Sequence, residues 1–341
     1  MSKILSVFAI LCVGLSVLAG SACGAASNDE QREVLDSSAQ PLNPVVQWNR
    51  TLLVIVRTPK AQPATIHPTR SFAIMHAAIY DAVNAIDRIH KPYLVRLTGV
   101  SRFASQDAAA DAAAHAVLVT LYPNFQTTLD TQLQHLLAQI PDGADKAEGI
   151  RIGQTVADRI LALRSNDGST NAPIPFIFGT APGDYQSTPP NFPKQPQFTN
   201  WSHVTPFALE RANQFRPGPP PALTSDTYSD VFNEVKSLGI AGSTTATPDQ
   251  ALTGRFWNGA IQNYWNDFDF TVTSEVLPGV DRSFTSFSAA AEEATLSRIF
   301  GGVHFRSDLT TGQRLGRDVA DFVVDNFFTP VRGRDDSGDD R

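Results

Sequence analysis

The stretch from Ser286 to Asp308, SFSAAAEEATLSRIFGGVHFRSD, carries the residues of this chain whose types and spacing best suit chemistry. Within it, an arginine, a histidine and an aspartate stand at Arg298, His304 and Asp308. The carboxylate of Asp308 can accept a hydrogen bond from Nδ1 of His304, which leaves Nε2 free for a ligand or a substrate. A fixed cation beside a free imidazole nitrogen is a pattern suited to an oxyanion.

Two helical segments joined by a glycine turn must position these groups. The alanine-rich run before Ser297 predicts a buried helix, because alanine has the highest helix propensity and the apolar positions recur at three and four. The pair Gly301-Gly302 predicts the end of that helix, since glycine readily adopts the left-handed conformation that closes a helix. On one unbroken helix, Arg298 and His304 would point about 240° apart, so the turn is what allows both to face one pocket.

Length and composition indicate a globular chain. It has 341 residues, of which 42% are hydrophobic and 18% charged, enough for one large domain or two ordinary ones. The net charge of -7, from 27 basic and 34 acidic residues, argues against a nucleic-acid partner. Both cysteines, Cys12 and Cys23, lie near the N-terminus, so the rest of the chain must be stabilised by a hydrophobic core.

Residues 1–26 have the pattern of a signal peptide, because Lys3 precedes an apolar run at 4–18 and small residues follow. That run is shorter than the roughly 20 apolar residues of a membrane span. We therefore expect an exported protein, periplasmic or secreted, with no membrane span and with cleavage after Ala22 or Ala26. Lipid anchoring at Cys23 is the alternative. The polar, acidic residues 27–44 predict a disordered tether.

The rest of the chain predicts one all-α domain at residues 45–330, followed by a disordered tail at 331–341. Residues 165–221 are rich in proline, glycine and aromatic residues, which predicts an ordered loop wrapped over the helices. Residues 268–287 predict an extended loop. Helical periodicity marks residues 70–86, 105–121, 129–140, 144–163, 225–238 and 310–328, and a further helix begins after Thr247.

The segment SRIFGGVHFRSD has the form S-R-x5-H-x3-D, which resembles the third signature block of the vanadium-dependent haloperoxidases and the related type-2 phosphatidic-acid phosphatases. Three further segments are similar to the bacterial secreted haloperoxidases, and with the block they cover most of residues 45–328. They read FAIMHAAIYDAVNAI, RSFTSFSAAAEEA and GQRLGRDVADFV.

This resemblance implies an all-α helical bundle that holds vanadate, with phosphate as an alternative occupant. It implies that His304 binds the vanadium of vanadate or attacks phosphorus as a nucleophile. Arg298 would hold the anionic oxygens, and Asp308 would orient the histidine. Ser297, in the same block, completes the predicted cofactor-binding set.

Two other blocks of the family, K-x6-R-P and P-S-G-H, are missing from the sequence. The one Arg-Pro pair is Arg216-Pro217, and Leu209 stands where the lysine would be. In the relatives, several more helices with both blocks follow a segment similar to LTGRFWNGAIQNYWND. Here Asp267 runs straight into Phe268, which predicts an internal deletion near 266–268.

Three functions stay open at this point. The first is an exported haloperoxidase-like protein that oxidises halide with hydrogen peroxide, impaired because losing even one preorganised donor typically costs about 10²–10³ in rate. The second is an acid phosphatase that hydrolyses a phosphate ester with His304 as the phosphoryl acceptor. The third is a non-catalytic scaffold that self-associates through the apolar face left by the missing helices. For Arg298, His304 and Asp308, the alternative to a binding site is a purely structural role, in which salt bridges among them stabilise the end of a helix.

The remaining polar residues of interest favour structural roles. His76 and Asp81, five apart on an apolar helix, predict buried polar contacts. His115 and His135 are isolated histidines on predicted helices. Arg282, next to Asp281, predicts a salt bridge within a loop.

Overall fold

Helices dominate the computed structural model of the protein, which describes residues 43–62, 66–189, 191–258, 271–274 and 276–331. The predicted all-α class is confirmed. The predictions on residues 1–26, on most of 27–44, on the junction at 266–268 and on most of the tail lie outside the described residues. In chain order the helices are α1 Pro44–Arg57, α2 Ile66–Asp87, α3 Gln106–Leu121, α4 Gln126–Leu137, α5 Ala144–Arg164, α6 Asp226–Leu238, α7 Pro248–Phe256, α8 Phe287–Phe300 and α9 Arg306–Asn326.

Local sequence signals account for most of the helix starts. The Ser105 side chain accepts a hydrogen bond from the backbone N–H of Ala108 at the start of α3. Thr247 and Gln250 form a capping box that opens α7. Helix α1, which begins after the Asn43 cap, was not predicted.

One predicted boundary is wrong. The last helix begins at Arg306 and not at Thr310, so Asp308 lies in its first turn. The predicted extended loop before α8 contains a short antiparallel hairpin of β1 Thr271–Thr273 and β2 Asp281–Ser283.

The hydrophobic core lies among α1 to α5. On α2 the predicted apolar positions Phe72, Met75, Ile79 and Ile86 are buried. Helices α3 and α5 pack most closely, because glycines of α5 face the small residues of α3. A Cβ placed on Gly153 would lie 2.3 Å from the Ala109 carbonyl oxygen, so the two backbones are in direct contact.

The proline-rich loop at 165–221 is held against this core by a buried ion-pair cluster, and its predicted order is confirmed. Asp167 accepts a hydrogen bond from Arg70 at 2.8 Å and forms an ion pair with Arg164, also at 2.8 Å. Arg164 also donates to the loop carbonyl of Thr205 at 2.7 Å. Burial alone would raise the pKa of Asp167, but the hydrogen bonds from Arg70 and Ser169 outweigh it and hold this pKa below its usual value.

The second half of the described chain is packed more loosely. Phe256 of α7 and Ile299 of α8 are fully buried, whereas α6 and α9 contain no buried residue. The end of α9 is tied back to the first half, because the backbone N–H of Lys91 donates to the carbonyl of Thr329 at 2.9 Å.

Candidate functional site

The turn between α8 and α9 places the predicted site residues at the facing ends of two helices. The carbonyl of Arg298 accepts hydrogen bonds from the backbone N–H groups of Val303 and His304, at 3.0 and 3.3 Å. Gly302 has a φ of 72°, in the left-handed region that glycine tolerates best. The glycine turn predicted from the sequence is therefore present, and it brings the backbone of His304 back to the last turn of α8.

His304 and Asp308 form the pair that their spacing predicts. Nδ1 of His304 lies 3.0 Å from Oδ2 of Asp308. A carboxylate acceptor at Nδ1 fixes the ring orientation and leaves Nε2 unprotonated in the neutral ring. Asp308 lies in the first turn of α9, where the helix dipole favours its negative charge. Both side chains are half exposed, at 45% and 50%.

Arg298 supplies a cation in the last turn of α8. Its side chain is half buried, and within the described chain its guanidinium has no hydrogen-bond or ion-pair partner. No described contact joins that guanidinium to the imidazole of His304. An arginine held at one end of the turn and unpaired in this way has all its donors free for an anion.

Ser297 lies beside Arg298 in the sequence but faces a different environment. It is 1% exposed, and its hydroxyl donates to the carbonyl of Ala294, one turn earlier in α8, at 2.6 Å. That hydrogen bond ties the side chain to its own helix. The structure therefore brings His304 and Asp308 together and places Ser297 inside the packing of α8.

The residues that support the turn were not all recognised in the sequence. Arg282, predicted to form a loop salt bridge, instead crosses from the hairpin to α8, with its Nε 2.5 Å from a carboxylate oxygen of Glu293. It also reaches Asp249 of α7 at 3.1 Å. Trp257 donates its indole N–H to the same glutamate at 3.0 Å. The hairpin, α7 and α8 therefore meet at Glu293.

His76, His115 and Asp81 have structural partners. Nε2 of His76 lies 2.9 Å from the side-chain oxygen of Asn49, and burial lowers the pKa of His76. Asp81 accepts three backbone N–H groups at residues 93–95. His76 and Asp81 thus make separate buried contacts and do not contact each other. His115 lies 2.7 Å from Asp130.

A large cavity lies elsewhere in the fold. It has a volume of about 730 Å³ and is lined by α2 residues together with Tyr93, Phe207 and Phe328. None of the predicted site residues lines it. The turn between α8 and α9 is therefore a separate, open site.

The described residues fit an oxyanion such as vanadate or phosphate in two respects. They offer an unpaired guanidinium and an imidazole whose second nitrogen is held by a carboxylate. Such groups bind tetrahedral anions through charge-assisted hydrogen bonds. The fit is incomplete in a third respect. His304 and Asp308 are half exposed, so water screens the attraction between the site and a bound anion.

Comparisons with known proteins agree with this fold. Residues 236–333 match the family model described as the VCPO second helical-bundle domain. A bacterial vanadium-dependent iodoperoxidase has a similar structure, with a TM-score of 0.67 and 18% identity over 87% of this chain and 100% of that chain. A holo-type bacterial vanadium-dependent chloroperoxidase gives a TM-score of 0.52 and 12% identity, over 84% of this chain and 96% of the other. No curated protein matches the chain by sequence.

The chain is thus an all-helical protein with the fold of the vanadium-dependent haloperoxidases, and the predicted resemblance is confirmed at that level. More particularly, the part that contains Arg298, His304 and Asp308 matches the second helical bundle of the VCPO type. None of the described helices is both long and apolar enough to cross a membrane.

Proposed function

We propose that this protein is an exported, haloperoxidase-like protein that binds vanadate at His304 and oxidises halide with hydrogen peroxide at a low rate. The observation that supports it best is the His304–Asp308 pair at 3.0 Å, in a part of the chain that matches the VCPO second helical-bundle domain. Arg298, in the last turn of the preceding helix, adds a guanidinium that has no partner among the described residues. Bound vanadate would supply the activation of peroxide toward halide, without a change in its own oxidation state. Phosphate is the alternative occupant of the same site.

Each residue has a distinct role in this proposal. Nε2 of His304 is the ligand atom, and Asp308 keeps the proton of the neutral ring on Nδ1. Arg298 holds anionic oxygens without giving up a proton. Ser297 supports the last turn of α8 through its bond to Ala294.

The openness of the site is the reason to expect slow turnover. Electrostatic stabilisation of a reacting anion is strongest where water is excluded and several donors are already in place. Here the histidine and its carboxylate are half exposed, and no described contact joins the Arg298 guanidinium to them. The same exposure favours the third candidate of the sequence analysis, a non-catalytic scaffold that binds an oxyanion weakly.

Vanadate titration of the protein, followed by ⁵¹V NMR and calorimetry, tests the binding step. His304→Ala should abolish binding. Asp308→Asn should weaken it about 10–100-fold, the usual effect of removing a residue that orients a ligand. His135→Ala is the matched control, because that histidine lies on the exposed surface of α4. Equal vanadate affinity in wild type and His304→Ala would refute the proposed site.

Activity assays then separate the candidate functions. Oxidation of bromide and iodide by peroxide, measured with and without added vanadate, should be slow, vanadate-dependent and lost in His304→Ala. If the protein hydrolyses a phosphate ester, loses that activity in His304→Ala and oxidises no halide, it is an acid phosphatase and the haloperoxidase proposal is wrong. Vanadate binding without either activity would instead support the non-catalytic scaffold.

Export and self-association belong to the same proposal. The apolar side chains Phe232, Ile240, Val303 and Val324 are all exposed in the second half of the chain. A contiguous apolar patch formed by such side chains would promote association. Intact-mass measurement of the native protein checks cleavage after Ala22 or Ala26 and any lipid on Cys23. Analytical ultracentrifugation should show dimers or larger species; a monodisperse monomer would contradict self-association.

A further inference from the structure

We propose that α6 is a positioning element for His304. It contacts the chain just before and just after this histidine and so holds the imidazole in place. This inference rests on the proposed oxyanion function, because it concerns the same imidazole. Helix α6 contributes no residue to the predicted site, and no sequence motif marks it.

The first contact joins the end of α6 to the glycine turn, backbone against backbone. A Cβ placed on Gly239 would lie 2.4 Å from Cα of Gly302 and 2.7 Å from the carbonyl oxygen of Ile299. In the other direction, a Cβ on Gly302 would lie 2.6 Å from the Gly239 carbonyl oxygen. These distances are shorter than any real Cβ contact, so no side chain fits at either position.

Residue 239 must be glycine because there is no room for a side chain there, and not because of its backbone conformation. Its φ of -95° and ψ of -2° are open to any residue. By contrast, Gly302 has a φ of 72° and would favour glycine in any surroundings. The contact therefore explains Gly239 as a residue that lets α6 approach the turn two residues before His304.

Helix α7 contacts the same turn through a second glycine. A Cβ on Gly254 would lie 3.0 Å from the backbone nitrogen of Gly301 and 3.0 Å from the carbonyl carbon of Phe300. Gly254 is buried, so the turn has little room to move toward α7. The two glycines together restrict the backbone that leads from Arg298 to His304.

The remaining contacts of α6 fall just after the histidine. Glu234 accepts from Arg306 through a two-armed arrangement, with Nε 2.9 Å from both carboxylate oxygens and Nη2 2.6 Å from Oε1. The hydrogen bond to Glu234 raises the pKa of Arg306. The ring of Tyr228 meets that of Phe305 edge-on, with centroids 5.9 Å apart.

His304 is therefore bracketed by contacts to one helix, at Gly302 before it and at Phe305 and Arg306 after it. A half-exposed ion pair adds little to stability, but a bidentate one fixes direction. Small displacements matter at such a site, since a shift of about 1 Å can cost about 10²-fold in rate. The arrangement is thus suited to holding the imidazole in place relative to Arg298.

The test compares Gly239→Ala with Gly312→Ala. A Cβ at Gly312 of α9 meets nothing within 4 Å, so this control makes the same chemical change in open space. The imidazole NMR signals of His304 are followed in the protein without vanadate, with those of His135 as internal reference. Vanadate affinity is measured on the same samples.

Gly239→Ala should move the His304 signals and weaken vanadate binding by about tenfold or more, while the His135 signals stay unchanged. Gly312→Ala should change neither. A folded Gly239→Ala protein with wild-type His304 signals would overturn the proposal. If the wild type binds no vanadate, the proposed function fails, but the NMR comparison still decides the positioning role.

A milder variant covers the case in which Gly239→Ala does not fold. Glu234→Gln keeps the shape of the side chain but removes the charge that pairs with Arg306. It should shift the His304 signals and weaken vanadate binding severalfold at an unchanged melting temperature. Glu148→Gln, which breaks a similar ion pair with Arg151 on α5, should leave both readouts unchanged. Identical His304 signals in Glu234→Gln and wild type would overturn the proposal.

Discussion

Replacing Asp111 by asparagine should remove a large part of the pH dependence of stability. Asp111 lies in α3, is 2% exposed, and accepts a hydrogen bond from the indole N–H of Trp48 at 2.8 Å. The pKa of Asp111 is raised from 3.8 to about 6, mainly by burial; the Trp48 hydrogen bond opposes this rise and the charge of Asp107 adds to it. The ionised carboxylate is therefore unfavourable in the core.

The sign and size of the effect follow from proton linkage. Between pH 4 and pH 6 the folded protein keeps a proton on Asp111 that the unfolded chain has lost, so stability falls as the pH rises. A rise of this pKa from 3.8 to about 6 corresponds to about 3 kcal/mol when fully developed. Between pH 4 and pH 7.5 the loss amounts to about 2 kcal/mol. The amide of an asparagine does not titrate, so the Asp111→Asn variant should lack this loss.

Urea unfolding of both proteins at pH 4 and pH 7.5, followed by tryptophan fluorescence, measures this difference. Any constant cost of fitting the amide cancels when the two pH values are compared. Asp158→Asn is the control, because it removes the same charge from the exposed face of α5. If the free-energy difference between variant and wild type is the same at both pH values, the linkage argument for Asp111 is wrong.

Two further substitutions test the packing of the first half of the chain. Gly153→Ala should destabilise the protein by about 1–3 kcal/mol through overpacking against α3, measured by urea unfolding; equal stability would show that α3 and α5 can separate without cost. Asp167→Asn should cost about 3–5 kcal/mol, since it leaves Arg70 and Arg164 buried without their carboxylate, and should speed protease cleavage within residues 165–221. Cleavage at the wild-type rate would mean that other contacts hold the loop.

Features set by neighbours in the sequence could be predicted, and contacts between distant segments could not. The periodicity of α2 predicted its buried face, and the Ser105 and Thr247 caps marked two helix starts. The His304–Asp308 pair followed from a spacing of four, because that spacing lets the carboxylate in the first turn of α9 reach the imidazole just before the helix.

The missed features all join residues far apart in the chain. In the sequence, Gly239 looks like an ordinary glycine at the end of a helix, and no neighbouring residue indicates that it contacts Gly302. Arg282 has an aspartate as its neighbour in the sequence, yet its partners are Glu293 and Asp249 on two helices. Helix α1 was missed because its apolar positions follow directly after a polar, acidic segment.

The two halves of the described chain are stabilised in different ways, and this separates folding from activity. Helices α1 to α5 enclose a continuous apolar core, whereas α6 and α9 bury no residue and are held by ion pairs and by close glycine contacts. Burial of apolar surface is the main source of stability, so the first half can support the fold whatever the state of the site. A well-folded protein is therefore no sign of a working site. Vanadate affinity and the NMR signals of His304 report on the site directly, and they distinguish an active haloperoxidase-like protein from a folded scaffold.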